Sequence, residues 1–270
     1  MLAIKNNIMA ANAARHLGMS YDALAQSVER LSSGLRINSA KDDAAGLAVR
    51  ELMRADISVL QQGSRNANDG ISLVQVAEGG MQTINDLLVR MKQLAEQAGT
   101  GTYSSAQRSI MDNEFDELAD EIERIAGSAK FNGISLLNSA TGSISVMFGS
   151  SSDSITINTA DMTKSGLSID ALNIDTAASA QAALTSLESA IETANSTRAE
   201  FGAKMNRLEN TIGVIDVQVE NLMASESRIS DVDVATEMAT MTRTQVLAQA
   251  GVAMLAQANT VPQMALSLLR

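Results

Sequence analysis

Apolar side chains recur at alternating intervals of three and four residues over most of this 270-residue chain. This interval is the period of a coiled-coil seam, in which one face of a helix stays turned toward a partner. Only one proline, Pro262, is present to interrupt such helices. Aromatic residues make up 2% of the chain, so Ala, Leu, Ile, Val and 15 Met must fill the core. The sequence therefore predicts a mainly α fold, an elongated rod of long antiparallel coiled-coil-like helices.

The middle of the chain is predicted to form a shaft domain over residues 45–225. Its long helices are expected at about 45–98, 105–127 and 178–224, where the helical period is sustained. Two glycines within residues 99–102 mark the turn after the first of these helices.

Residues 131–175 differ in kind, because their apolar residues alternate instead of following the helical period. Val146 and Phe148 precede a Gly/Ser/Asp-rich stretch, and Ile155 and Ile157 follow it. Alternation on both sides of such a turn is typical of a β-hairpin. Since serine and threonine dominate here, we expect a small, exposed β-hairpin region.

The two ends of the chain, 1–44 and 226–270, each carry one helix of the coiled-coil period. We predict that they form one terminal helical domain, with the two termini at the same end of the rod. Their apolar seams are predicted to be the surfaces through which subunits pack. The seam residues are Ile4, Ile8, Leu17, Tyr21, Leu24, Val28, Leu31, Val234, Met238, Met241, Val252 and Leu255.

The charge distribution supports this division. The net charge of −11 argues against a nucleic-acid partner, since nucleic-acid binders carry basic patches. Residues 1–44 hold five basic and four acidic side chains, and residues 226–270 hold three and four, so the middle carries the excess of acid. Nearly neutral ends suit a segment that packs against copies of itself. The alternative is that charges simply thin out toward the termini.

Catalytic and metal-binding patterns are missing from the sequence. His16 is the only histidine and there is no cysteine, so a metal site or a nucleophile activated by histidine is poorly supported. The acidic run at 112–123 has apolar residues interleaved at helical spacing, which favours a solvated helix face. We therefore predict a protein that is not an enzyme and has no catalytic, cofactor-binding or metal-binding residues.

Residues 244–269 carry no charge, and a stretch of this length can span a bilayer. Its glutamines, Asn259 and Pro262 are costly in lipid, so the pattern favours a helix packed against protein. At the other end, Lys5 is followed by asparagines rather than an apolar core. No membrane partner and no cleaved signal peptide are therefore predicted.

Several long motifs resemble those of bacterial flagellins, over roughly residues 1–133 and 180–270. They are IKNNIMAAN at 4–12, LSSGLRINSAKDDAAGLA at 31–48, RNANDGISL at 65–73, FNG at 131–133, SDVDVATEM at 230–238 and QAN at 257–259. Many flagellins insert large outer domains in the middle, whereas this chain has only the short hairpin region. The chain thus looks like a minimal flagellin.

The resemblance implies a structural subunit that self-assembles into the extracellular flagellar filament for swimming motility. It implies that the terminal segments form the inner tube of the filament and that the shaft helices form the next shell. It further implies export in an unfolded state by the flagellar type III system. The implied partners are other copies of the chain, hook–filament junction proteins, the filament cap and an export chaperone.

Some flagellins are detected by an innate immune receptor, and the matching positions here are Arg90, Leu94 and Glu114. Two other functions stay open at this stage. A hook–filament junction protein shares similar terminal regions and would act as a short adaptor. A metal-dependent or lytic enzyme would need a larger central insertion, with His or Cys ligands that this one lacks.

Overall fold

The computed structural model describes residues 6–149 and 153–267, with side chains described as far as Thr260. Long helices dominate these residues, and the strands are short. The helices are α1 (Ile8–Ser33), α2 (Ala44–Gly99), α3 (Ser105–Ser128), α4 (Ala177–Ser230) and α5 (Val234–Ser267). The strands are β1 (Lys130–Phe131), β2 (Ile134–Ser135), β3 (Ser143–Met147) and β4 (Ser154–Asn158), paired as two antiparallel sheets, β1–β2 and β3–β4. The predictions of a mainly α fold and of a small β-hairpin are confirmed.

Local sequence signals fix where several helices begin and end. The Asn7 side chain accepts a hydrogen bond of 3.1 Å from the Ala10 N–H and so caps the start of α1. This helix ends at Gly34, whose φ of +74° is the left-handed conformation that glycine adopts without strain. At the start of α3, Ser104 and Gln107 bond reciprocally to each other's backbone N–H.

The chain divides into two compact units. A terminal unit holds the residues up to Ile57 together with those from Glu220 onward. A central unit holds Ser58–Val219. Helices α2 and α4 each contribute residues to both units.

The core of the central unit is built on one face of α2. Eight residues of this face, each three or four positions apart, are fully buried, and each large one contributes roughly 1.5–3 kcal/mol to stability. They are Val74, Ala77, Met81, Ile84, Leu88, Met91, Ala95 and Ala98. Phe115 of α3 and Leu187 of α4 are also fully buried in the same cluster.

Ion pairs show that α2 and α4 run antiparallel in the central unit. Lys92 lies 2.9 Å from Glu188, and Arg198 lies 2.6 Å from Glu78. As the position on α2 decreases, the position of its partner on α4 increases, which is the relation expected of antiparallel neighbours.

The segment between α3 and α4 is packed rather than exposed, which corrects the expectation from its serine and threonine content. On the hairpin, Val146, Ile155 and Ile157 are buried. Further buried apolar residues lie before and after it: Leu136, Leu137, Met162, Leu167, Ile169 and Ile174. These side chains belong to the same cluster as the α2 face. The polar residues alternate with them, so composition alone overstated the exposure.

The β3 strand lies directly against α2 because that helix presents glycines there. A Cβ atom on Gly63 would stand 2.2 Å from the Phe148 carbonyl oxygen, closer than any real contact allows. One turn along, Asn66 donates a side-chain hydrogen bond of 2.9 Å to the Met147 carbonyl. A Cβ on Gly70 would stand 3.0 Å from Val146. The surface thus lacks side-chain bulk where the strand backbone needs to approach.

The acidic run of α3 holds the segment that follows the hairpin. Asp112 accepts a hydrogen bond of 2.7 Å from the Ile174 N–H, and Glu123 accepts one of 2.9 Å from the Lys164 N–H. The Lys164 ammonium group also lies 2.7 Å from Asp120. These acids were expected to face solvent alone, yet they satisfy backbone donors of a neighbouring segment.

Candidate assembly surface

Helices α1 and α5 form an antiparallel pair in the terminal unit. The Asn7 side chain donates a 2.8 Å hydrogen bond to the Ala258 carbonyl at one end. At the other end Arg30 lies 3.7 Å from Glu237. Between these contacts, a Cβ atom on Gly251 would stand only 3.1 Å from a methyl group of Leu17. The helices therefore approach closely where glycine replaces a larger residue.

The residues that face each other between these helices form what we call the inner row. Its members on α1 are Ala10, Ala13, Leu17, Ser20, Leu24, Ser27 and Leu31, and its members on α5 are Glu237, Met241, Thr244, Ala248, Gly251, Leu255 and Ala258. All are buried or half-buried, and their spacing alternates between three and four. Many are small, which permits the close approach of the two backbones.

Eleven large apolar side chains of the same helices lie outside the inner row and are exposed, and we call this set the outer apolar face. It consists of Ile8, Met9, Met19, Tyr21 and Val28 on α1, with Val234, Met238, Val246, Leu247, Val252 and Met254 on α5. Each is at least 45% exposed. Exposed apolar surface marks a protein–protein contact where it is contiguous.

The predicted seam residues are divided between these two surfaces. Five of them, Leu17, Leu24, Leu31, Met241 and Leu255, lie in the inner row. Six others, Ile8, Tyr21, Val28, Val234, Met238 and Val252, lie on the outer apolar face. Ile4 lies outside the described residues. The sequence reasoning did not identify Ser27 and Thr244, which are 3% and 9% exposed, because it looked for large apolar residues.

The connection from α1 to α2 is fixed by polar contacts within the terminal unit. The carboxylate of Asp42 accepts hydrogen bonds from the backbone N–H groups of Ser39 and Asn38, and from the Gln26 side chain. These bonds, the one from the Ser39 backbone above all, lower the pKa of Asp42. Arg50 is 8% exposed and donates a 2.8 Å hydrogen bond to the Ile37 carbonyl.

The connection from α4 to α5 is fixed in a similar way. Leu35 pairs with Asp231 in a short antiparallel bridge, so the two connections lie side by side. Asp233 caps the start of α5 by accepting hydrogen bonds from the Ala235 and Thr236 N–H groups and from the Thr236 hydroxyl. The Thr236 hydroxyl bond is the largest cause of the lowered pKa of Asp233.

The three positions matched to immune recognition lie on α2 and α3 of the central unit. Arg90 donates two hydrogen bonds, of 3.0 and 2.6 Å, to the same oxygen of Glu114, and both side chains are about half exposed. Leu94 is 2% exposed and belongs to the core. Leu94 therefore exposes almost no surface to a partner, whereas Arg90 and Glu114 expose about half of their side chains.

Two kinds of site are missing from the described residues. No helix among them combines the length and the apolar character needed to cross a membrane. Within the same part of the chain, no three His, Asp or Glu side chains are grouped so that they could hold a metal ion.

Five long helices with only short strands between them define a mainly α-helical protein over the described residues. Comparison with known proteins gives the family. The model for the bacterial flagellin N-terminal helical region matches residues 4–141, and the model for the C-terminal helical region matches residues 184–269. The chain therefore belongs to the bacterial flagellin family, a family of structural proteins of the flagellar filament.

Individual relatives agree with this assignment over their whole length. A flagellin of Halalkalibacterium halodurans is 43% identical over 272 residues, covering 99% of each chain. The flagellar filament 33 kDa core protein of Treponema phagedenis is also 43% identical, with the same coverage of each chain over 284 residues. The crystal structure of Bacillus cereus flagellin is 32% identical and covers 60% of this chain and 94% of its own, with a TM-score of 0.51.

Proposed function

We propose that the outer apolar face is the surface through which copies of this chain pack in the flagellar filament. In this arrangement the terminal helical domain, residues 1–44 and 226–270, forms the inner tube, and residues 45–225 form the surrounding shaft. The observation that carries the proposal is the exposure of eleven large apolar side chains on α1 and α5. Covering apolar surface stabilises an assembly by about 25 cal/mol per Å² before ordering costs.

Charge supports the same surface. Residues 244–260 of α5 have no charged side chain, and the nearest charge on that helix is Arg243. Copies of this segment can therefore approach without mutual repulsion, whereas the acidic central unit would repel itself at close range. The charges that the terminal helices do carry include Arg30 and Glu237, which already face each other within one chain.

We propose that the chain reaches the cell exterior in an unfolded state through the flagellar type III system, without a cleaved signal peptide. The absence of cysteine supports this, because a chain without disulfides needs no covalent step after export. An export chaperone, the filament cap and the hook–filament junction proteins are the further partners that family membership suggests.

Expression of the chain in a flagellated bacterium that lacks its own flagellin tests these proposals. We expect long extracellular filaments under the electron microscope, with the chain retained in cells that lack the export apparatus. Short caps or rings in place of long filaments would instead indicate the hook–filament junction function. Filaments formed by a strain without the export apparatus would contradict the export route.

We also propose that the Arg90–Glu114 pair is a contact point for an innate immune receptor. Its two side chains present a half-exposed ion pair on the surface of α2 and α3. Leu94 lies beneath this surface in the core, so we assign it the role of holding the position of α2.

Replacement of Arg90 tests the receptor proposal. Arg90→Ala is expected to lower receptor activation in a reporter-cell assay about tenfold, since arginine contacts at interface centres often contribute more than 1 kcal/mol. Arg124→Ala is the matched control, because Arg124 forms an exposed ion pair of 2.6 Å with Glu121 on α3. Equal activation by Arg90→Ala and Arg124→Ala would refute the contact.

A further inference from the structure

Four residues of the outer apolar face are methionines. Met9, Met19, Met238 and Met254 make up four of its eleven residues and are 69%, 52%, 45% and 64% exposed. The chain has no cysteine, so thioethers are its only sulfur groups. An exposed thioether is open to oxidation, whereas a buried one is protected.

Two of these methionines share one groove between α1 and α5. The groove has a volume of about 460 Å³ and is lined by Met19, Met254, His16 and Leu247, among others. Helical side chains tilt toward the N-terminus of their own helix. Because α1 and α5 are antiparallel, this tilt brings Met19 and Met254 toward the level where Leu17 contacts Gly251.

We propose that these four methionines form an oxidation-sensitive switch that controls filament assembly. A sulfur lone pair attacks one oxygen of a peroxide, the O–O bond breaks, and with hydrogen peroxide the other oxygen leaves as water. The thioether becomes a sulfoxide, so the sulfur loses two electrons and the peroxide gains them. Two thiols reverse the step by taking up the oxygen as water and forming one disulfide.

A sulfoxide on the outer apolar face opposes assembly because apolar side chains of a second copy would cover it. The inference rests on the proposed function in one respect, that a second copy of this chain covers the outer apolar face. A sulfoxide oxygen is a strong acceptor, and it loses its water partners when apolar side chains cover it. Residues 244–260 have no lysine or arginine, so only their amide and hydroxyl side chains could replace those partners. Oxidised chains therefore lose the apolar match that brings copies together.

The central unit contains methionines that serve as an internal reference. Met81 and Met91 are fully buried, and Met162 is 2% exposed. We expect them to stay reduced at peroxide doses that convert the four exposed residues, so the fold of the central unit survives the treatment.

The experiment treats the purified full-length monomer with graded hydrogen peroxide and then measures seeded polymerisation. Peptide mass spectrometry gives the sulfoxide fraction at each methionine. We expect the elongation rate to fall at least about tenfold, corresponding to 1.4 kcal/mol, as the four positions are oxidised. Methionine sulfoxide reductase with a thiol should restore the rate.

The matched variants replace methionine by leucine, a volume-conserving change. A chain with leucine at all four positions should polymerise equally well with or without peroxide. The control, Met147→Leu with Met223→Leu, removes two exposed methionines outside the outer apolar face and should stay sensitive.

Equal sensitivity of the fourfold variant and the wild type would overturn the switch, as would normal elongation of wild type oxidised at all four positions. If the untreated fourfold variant fails to polymerise, the test uses the wild type alone. Its elongation rate must then fall in proportion to the sulfoxide fraction at these four positions, and any other result overturns the switch. Failure of the untreated wild type to polymerise would refute the proposed function, and this inference with it.

Discussion

Replacing Val252 by aspartate is expected to abolish filament formation while leaving the subunit folded. Val252 is 48% exposed on the outer apolar face, so a carboxylate there is solvated in the free chain. In the filament the same carboxylate would be covered by apolar surface, and residues 244–260 of α5 provide no cationic partner for it. A buried charge without a partner costs about 3–5 kcal/mol. The critical concentration for polymerisation should therefore rise at least about 100-fold.

The measurement is sedimentation of seeded polymer over a range of protein concentrations. Val252→Thr is the matched control, because it keeps the branched shape without adding a charge, and we expect it to polymerise. Circular dichroism should show the same helicity in both variants. Polymerisation of Val252→Asp at the wild-type concentration would mean that this part of α5 stays exposed in the filament.

Adding one methyl group at Gly63 is expected to destabilise the central unit. In a helix, Gly→Ala usually stabilises by up to about 1 kcal/mol. At Gly63 the new Cβ would lie 2.2 Å from the Phe148 carbonyl oxygen and 2.7 Å from the Phe148 Cα, so the strand backbone itself must move. That movement pulls Met147 away from the Asn66 amide and Val146 away from Gly70. We expect Gly63→Ala to lower the free energy of unfolding by about 1–3 kcal/mol.

The same substitution elsewhere on α2 should have the opposite sign. A Cβ atom on Gly79 would meet nothing within 4 Å, so Gly79→Ala keeps the helix-propensity gain. Urea unfolding of the two full-length variants, followed by circular dichroism, gives both free energies. Equal free energies of unfolding for Gly63→Ala and Gly79→Ala would show that α2 and β3 do not make this close contact.

Helices were the part of this fold most readable from sequence, for a simple reason. The helical period depends on residues three and four positions apart. It repeats over 24 to 56 residues in each of the helices α1 to α5. Short elements lack that redundancy. The β1–β2 hairpin has two residues on each strand and was missed, although its turn, Asn132 and Gly133, has φ values of +48° and +80°. Asn-Gly is the strongest short-range signal for such a turn and could have revealed it.

The assembly surface could be predicted only in part, because the inner row and the outer apolar face follow the same spacing of apolar residues. Apolar residues of α1 and α5 recur both toward the partner helix and away from it, so a single seam drawn by spacing mixes the two. Leu24 and Val28 show the problem: they are four residues apart on one helix, yet Leu24 lies in the inner row and Val28 is 50% exposed. Small residues such as Ser27 and Ala248, interleaved with leucines, mark the face where the helices meet.

The sequence by itself determined the class of the fold, the presence of long helices, the family and the near-neutral net charge of the terminal segments. These properties depend on residue type and on spacing along one chain. Only the tertiary structure decided which terminal side chains pack within a chain and which stay exposed. It also showed that the hairpin is packed against glycines of α2. Burial depends on distances between residues far apart in sequence, such as Gly63 and Phe148 or Leu17 and Gly251, and no local pattern records those distances.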